Sequence, residues 1–130
     1  MSRLKQIARP IYSNPPVNGA RLVDIVLSDD KLTKMWHDDL VMMSARMKDM
    51  RAGLVKNLKD LGNEHNWDHV ISQIGMFAYT GLNKEQVDEL RTKHAIYMTG
   101  DGRISIAGLN TKNLSSVAKA FHEVTHGKKF

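Results

Sequence analysis

The chain of 130 residues predicts an α+β protein in which a long connecting helix leads into a small C-terminal domain, a few-stranded sheet packed by helices. Three observations carry this reading. First, Leu32, Trp36, Leu40, Met43, Met47, Met50, Leu54, Leu58 and Leu61 follow at intervals of three and four. That is one unbroken helical stripe of about 30 residues, roughly 45 Å long. Second, Gly75–Thr80, Ala95–Met98 and Arg103–Ala107 read as short strands, separated by turn signals at Gly81-Leu82-Asn83 and Thr99-Gly100-Asp101-Gly102. Third, Val87 and Leu90, then Leu114, Val117, Ala118, Phe121 and Val124, give two further helical faces to cover the sheet.

Taken in order, Leu4 and Ile7 with Lys5 and Gln6 suit the last turn of a helix. Arg9-Pro10-Ile11-Tyr12-Ser13-Asn14-Pro15-Pro16 holds three prolines in seven residues, which predicts a stiff extended loop or linker. Pro16 suits the first position of a helix, with Asn14 as its cap. Leu22, Val23, Ile25 and Val26 predict a short buried helix over Ala20–Leu27. Asp29 and Asp30 cap the long helix, and Gly62 stops it. A helix of this length suits a coiled coil, a bundle or a bridge between domains. The methionines on its stripe read as core filler. Asn63–His69 is polar and reads as a loop. Asn83 with Gln86 forms a capping box for a helix to about Lys93, and Asn110 or Thr111 caps the last helix.

Composition narrows the function classes. Hydrophobic residues make up 42% and charged residues 25%, a globular mix that excludes wholesale disorder. The absence of cysteine excludes disulfides, thiolate metal sites and cysteine nucleophiles. Apolar runs are too short for a membrane span, and MSRLKQIARP lacks the apolar core of a signal peptide. A net charge of +5 admits nucleic acid or small anions as partners. The basic residues are spread along the chain and aromatics are only 6%, so neither a basic stripe nor a stacking platform for nucleic acid is evident.

No glycine-rich phosphate loop and no nucleophile elbow occurs. His65/His69 and His122/His126 have the four-residue spacing of a helical metal pair. The first pair falls in the expected loop, and the second lies near the chain end without an HExxH sequence. Neither reads as a metal site. Asp101-Gly102 reads as a turn, because the other ligands of a calcium loop are missing. Two arginines remain. Arg9 sits between a helix end and a proline-stiffened segment, and Arg103 between a tight glycine turn and a strand. A rigidly held guanidinium suits bidentate binding of carboxylate or phosphate. The alternative for each is a surface charge or a structural ion pair.

Three segments are more specific. RPIYSNPPVNG (9–19), WDHVISQIGMFAYTGL (67–82) and YMTGDGRISIAGL (97–109) resemble, in order and spacing, segments of the class I aspartate aminotransferases. The long helix with Arg46, Met47, Met50 and Arg51 also fits, so the resemblance covers nearly the whole chain. It implies part of the fold type I aminotransferase architecture. Residues 1–28 would be an interface loop and short helix, 29–62 the interdomain helix, and 63–130 the small C-terminal domain.

The family resembled is homodimeric, uses pyridoxal 5'-phosphate and exchanges amino groups between aspartate or glutamate and 2-oxo acids. The resemblance implies that Arg103 binds the substrate's α-carboxylate. It implies that Arg9 binds the distal carboxylate, donated across the dimer to the neighbouring site. Phe77 would line the cofactor and substrate pocket, and Ser13 and Asn14 would lie near the neighbour's site. The Schiff-base lysine and the phosphate ligands are expected outside this chain, so no catalytic residue is expected within it. Ser116-Val117-Ala118-Lys119 mimics half of the lysine motif, but the resemblance puts Lys119 on the terminal helix as a solvated side chain. The chain alone is therefore expected to be inactive, with no nucleic acid or membrane partner. The basic balance and MTGDGRIS resemble mitochondrial members more than cytosolic ones. The rival reading is a non-catalytic helical interaction module derived from an aminotransferase.

Overall fold

The computed structural model describes residues 2–13 and 16–128. It divides into two compact units, Met1–Val41 and Met42–Phe130, with the boundary inside one helix. The first unit holds α1 (Ser2–Tyr12), α2 (Asn18–Ser28) and the start of α3 (Asp30–Asp60). The second holds the rest of α3, α4 (Asp68–Ser72), β1 (Phe77–Tyr79), α5 (Lys84–His94), β2 (Arg103–Ser105), a 3₁₀ turn (Ile106–Gly108) and α6 (Leu114–Thr125). No helix among the described residues is long and apolar enough to cross a membrane.

The expected loop from Arg9 is corrected in the first unit. α1 continues through Pro10 to Tyr12. Proline lacks the N–H that would bond to the carbonyl of Gln6, but its fixed φ is helical, and only two residues follow before the helix ends. Ser13 then takes a left-handed φ of 62°. α2 forms near its expected place, but not as a buried helix: none of its residues is buried, and Leu22, Val23 and Ile25 are exposed. It opens at Asn18 after Val17, not at Pro16. Asp29 does cap α3, its Oδ1 accepting from the Leu32 N–H at 2.9 Å. The Thr33 hydroxyl donates back to the Val26 carbonyl at 2.7 Å, fixing the corner between α2 and α3.

α3 runs for 31 residues, close to the length expected from its stripe. The stripe is used unevenly. Met50, Leu54 and Leu58 are buried, whereas Trp36, Leu40 and Met43 are exposed. The filler role expected of the stripe's methionines therefore holds for Met50 and partly for Met47, not for Met43. Gly62 stops the helix with φ 70°. The Gly62 N–H bonds to the Lys59 carbonyl and the Asn63 N–H to that of Leu58, the paired bonds of a Schellman motif.

The core of the second unit gathers Leu54 and Leu58 from α3, Val70 from α4, Leu90 from α5, Ile106 from the 3₁₀ turn and Phe121 and Val124 from α6, with Trp67 between α3 and α4. Each such side chain contributes about 1.5–3 kcal/mol when fully buried. Trp67 meets Phe121 with ring centroids 5.8 Å apart. Its indole N–H donates to Asn63 Oδ1 at 2.9 Å. α5 packs on α6, and the Asn83–Gln86 capping box forms as expected.

Two strands make the sheet, antiparallel, with Phe77 opposite Ser105, Ala78 opposite Ile104 and Tyr79 opposite Arg103. The strand expected at Ala95–Met98 does not form. Ala95 takes a left-handed φ of 52° as the C-cap of α5, and the Ile96 N–H turns back to the Leu90 carbonyl. The final helix begins at Leu114, later than expected. Asn110 instead nucleates a turn, its Oδ1 accepting from the N–H groups of Lys112 and Asn113.

Candidate functional site

Alternation along the two strands divides the sheet. Ala78 and Ile104 face the core, while Phe77, Tyr79, Arg103 and Ser105 are exposed on the other face. Arg103 Cζ lies 5.1 Å from the centroid of the Phe77 ring. The ring's electron-rich face supports the cation without consuming its N–H donors. Among the described residues the guanidinium has neither a hydrogen bond nor an ion pair. An exposed planar fork held on one side by a ring is suited to receive a carboxylate with two parallel N–H···O bonds.

The backbone that delivers Arg103 is fixed from both sides. Gly102 has φ 84°, and a Cβ there would stand 2.6 Å from the Leu82 carbonyl oxygen. The buried Thr80 binds the Gly102 carbonyl through its hydroxyl at 2.7 Å and its N–H at 3.0 Å. Asp101 accepts from the Thr99 hydroxyl and from the Arg103 N–H. These bonds, the Thr99 one foremost, hold its carboxyl below the usual carboxylate range. It therefore stays ionised as the cap of the turn.

The structure brings Phe77 and Arg103 together. Arg9 lies in the first unit, exposed in the last turn of α1. Ser13 follows it, also exposed, and Asn14 lies outside the described residues. Lys119 is exposed on α6. The histidines take structural contacts. His69 Nε2 is 3.1 Å from the Thr80 carbonyl, and His122 Nδ1 is 3.3 Å from Asn63 Nδ2. Among the described residues no group of three His, Cys, Asp or Glu side chains stands close enough to hold a metal.

Of three side chains behind this face, sequence reasoning missed Gln73 and Thr80 and named Arg51 only by resemblance, without a role. Gln73 covers the free edge of β1, donating to the Tyr79 carbonyl at 2.9 Å and accepting from its N–H at 2.7 Å. Thr80 locks Gly102. Arg51 is buried and donates to three backbone carbonyls. Arg51 alone carried a signal: it falls between Met47 and Leu54 on the apolar stripe, where a cation must find internal acceptors.

The second unit is thus a small α+β assembly that presents a ring-backed guanidinium on the exposed face of its sheet. The model of the family "Aminotransferase class I and II" matches residues 1–121, and the chain belongs to that family. The mitochondrial aspartate aminotransferase of Gallus gallus is 49% identical over 124 residues, covering 95% of this chain and 29% of the relative. A solved mitochondrial aspartate aminotransferase from Trypanosoma brucei has a TM-score of 0.93 at 46% identity, covering 95% of this chain and 32% of its own. The cytoplasmic aspartate aminotransferase from Saccharomyces cerevisiae gives 0.90 at 47% identity, covering 95% and 30%. The chain thus spans less than a third of the length of the relative from Gallus gallus. The expected fold type I small-domain architecture is shown by these superpositions.

Proposed function

We propose that this chain is the C-terminal part of an aspartate aminotransferase and supplies the arginines that select a dicarboxylic substrate. The observation that carries the reading is the exposed guanidinium of Arg103 over the Phe77 ring, with its N–H donors uncommitted. Arg103 receives the α-carboxylate of aspartate, glutamate or the matching 2-oxo acid, and Phe77 lines the same pocket. Arg9 takes the distal carboxylate in the neighbouring site of a homodimer, with Ser13 and Asn14 beside it. The domain division at 1–28, 29–62 and 63–130 belongs to this reading. So does a mitochondrial location, supported by the relative from Gallus gallus and opposed by the cytoplasmic one from Saccharomyces cerevisiae.

The family uses pyridoxal phosphate, which supplies an electron sink for the α-carbon when bound. The outer sheet face offers one guanidinium, two aromatic side chains and a hydroxyl. It presents no amine for a Schiff base, and so fits the substrate's carboxylate rather than the cofactor. No step through the cofactor is derived from these residues. What they do is bind and orient: a carboxylate clamped by Arg103 against a rigid hairpin has its rotational freedom removed before any chemistry.

The test is a chimaera in which residues 1–130 replace the matching segment of the Gallus gallus enzyme. Transamination between aspartate and 2-oxoglutarate is expected, and its absence in a folded, cofactor-loaded dimer would overturn the reading. The 130-residue chain alone, supplied with pyridoxal phosphate, is expected to give no turnover.

A further inference from the structure

Among the described residues Arg51 is the one buried guanidinium, 3% exposed, and none of its hydrogen bonds there goes to a carboxylate. Its Nη1 donates to the Val70 carbonyl at 2.8 Å. Its Nη2 donates to the Gly75 carbonyl at 2.9 Å and the Phe77 carbonyl at 2.7 Å. Taking a cation out of water is costly, and burial pushes its pKa below the ordinary value. An apolar side chain of similar volume would fill the same space on the α3 stripe without that cost. What an apolar side chain cannot do is hold three carbonyls, from α4, the following loop and the first residue of β1, in one fixed arrangement.

The third of those carbonyls belongs to Phe77, the residue whose ring supports Arg103. Two further backbone groups on that free edge of β1 are held by Gln73, which pairs with Tyr79 at both its N–H and its carbonyl. β1 therefore has a partner strand on one side and side chains on the other. We propose that Arg51 is a positioning residue for carboxylate binding: by fixing the 70–77 segment it sets where the Phe77 ring supports Arg103. This rests on the reading of Arg103 given above. Arg51 touches no substrate and acts only through Phe77. The planar fork matters as well as the charge, since one nitrogen serves two carbonyls while the other serves a third.

The experiment uses the holoenzyme chimaera with Arg51→Met and Arg51→Lys, alone and combined with Phe77→Leu. Arg51→Met is expected to raise KM for aspartate about three- to fivefold, no more than Phe77→Leu itself, because it acts only through the ring's support of Arg103. Arg51→Lys restores part of that loss, and kcat changes less than KM in both. On the Phe77→Leu background either substitution adds less than about twofold, because the route through the ring is already gone. If Arg51→Met does not fold, Arg51→Lys alone decides by its KM. An active parent chimaera whose Arg51 variants keep the parental KM, even with a lowered Tm, overturns this inference and leaves the carboxylate reading intact. Full additivity with Phe77→Leu also overturns it. An inactive folded parent overturns both.

Discussion

Arg103 and Phe77 meet diagonally across the hairpin. Phe77 is paired with Ser105 and Arg103 with Tyr79, yet the guanidinium carbon lies 5.1 Å from the Phe77 ring centroid. Diagonal neighbours on one sheet face are within reach of long side chains, and this one sets the Arg103 guanidinium against the ring. The two residues should then differ in what they cost. In the chimaera, Arg103→Ala leaves the substrate's carboxylate without its charged partner and is expected to lower kcat/KM by a factor corresponding to about 2–5 kcal/mol. Phe77→Leu removes only the ring support, worth about 0.5–1 kcal/mol at an exposed site, so KM should rise a few-fold. Steady-state kinetics on the two variants checks the order; equal losses would contradict it.

How much of this was legible in the sequence depends on the range of the contact. The length of α3, its Asp29 cap, its Gly62 stop and the Asn83–Gln86 box are local patterns, and all were readable. Segments failed where neighbours rather than periodicity decide. Ala95–Met98 has strand-like composition but is used to turn back over the end of α5. Pro10 suggested a break, yet near a helix end it forfeits a single bond. Arg103 and Phe77 were picked out by resemblance. Their contact depends on a register set by Gly102 and Thr80, 22 residues apart, and no spacing rule predicts it. Arg51 was named by resemblance, but its burial was hinted at only by a charge on an apolar stripe.

Arg9 carries a separate prediction. It is exposed in the last turn of α1, with no hydrogen bond or ion pair among the described residues. If it reads the distal carboxylate, Arg9→Ala should cut kcat/KM for aspartate by about a hundredfold or more, while an amino acid lacking that carboxylate is little affected. Arg103→Ala should impair both substrates. Because Arg9 is expected to serve the neighbour's site, mixing Arg9→Ala and Arg103→Ala subunits gives hybrid dimers in which one site retains both arginines. Activity should rise on mixing. No rise, with subunit exchange verified by mass, would place both arginines in one subunit's site.

The turn before Arg103 predicts a contrast between two glycines. A Cβ at Gly102 would stand 2.6 Å from the backbone oxygen of Leu82, at a φ of 84°. Neither the contact nor the angle can relax cheaply, so Gly102→Ala should destabilise the second unit by about 1–3 kcal/mol. A Cβ at Gly53 also meets an atom at 2.6 Å, but that atom is Leu114 Cδ2, the tip of a flexible side chain. Alanine gains roughly 0.8–1 kcal/mol over glycine within a helix, which offsets the shift of Leu114, so Gly53→Ala should be nearly neutral. Denaturant midpoints for the two variants test the pair. Comparable losses would mean that the Leu114 side chain cannot move aside.

Acid stability should depend on one carboxylate between α5 and the chain's end. Glu89 accepts hydrogen bonds from Lys128 at 2.8 Å and Lys93 at 2.6 Å. These two bonds hold its pKa down to about 2, from an ordinary value of 4.5. A carboxylate whose pKa is lower folded than unfolded stabilises the fold fully above the unfolded value. That contribution fades as pH falls through the window from about 4.5 to about 2. Asp101 is shifted in the same direction by the Thr99 hydroxyl and adds to the same trend. Glu89→Gln should therefore flatten the dependence of Tm on pH within that window and leave it unchanged between pH 6 and 8, about where no carboxylate titrates. Because the two lysines are solvent-exposed, raised salt should reduce the difference between the two proteins. Parallel Tm curves for the wild type and Glu89→Gln below pH 4.5 would mean that the two lysines do not hold Glu89 in solution.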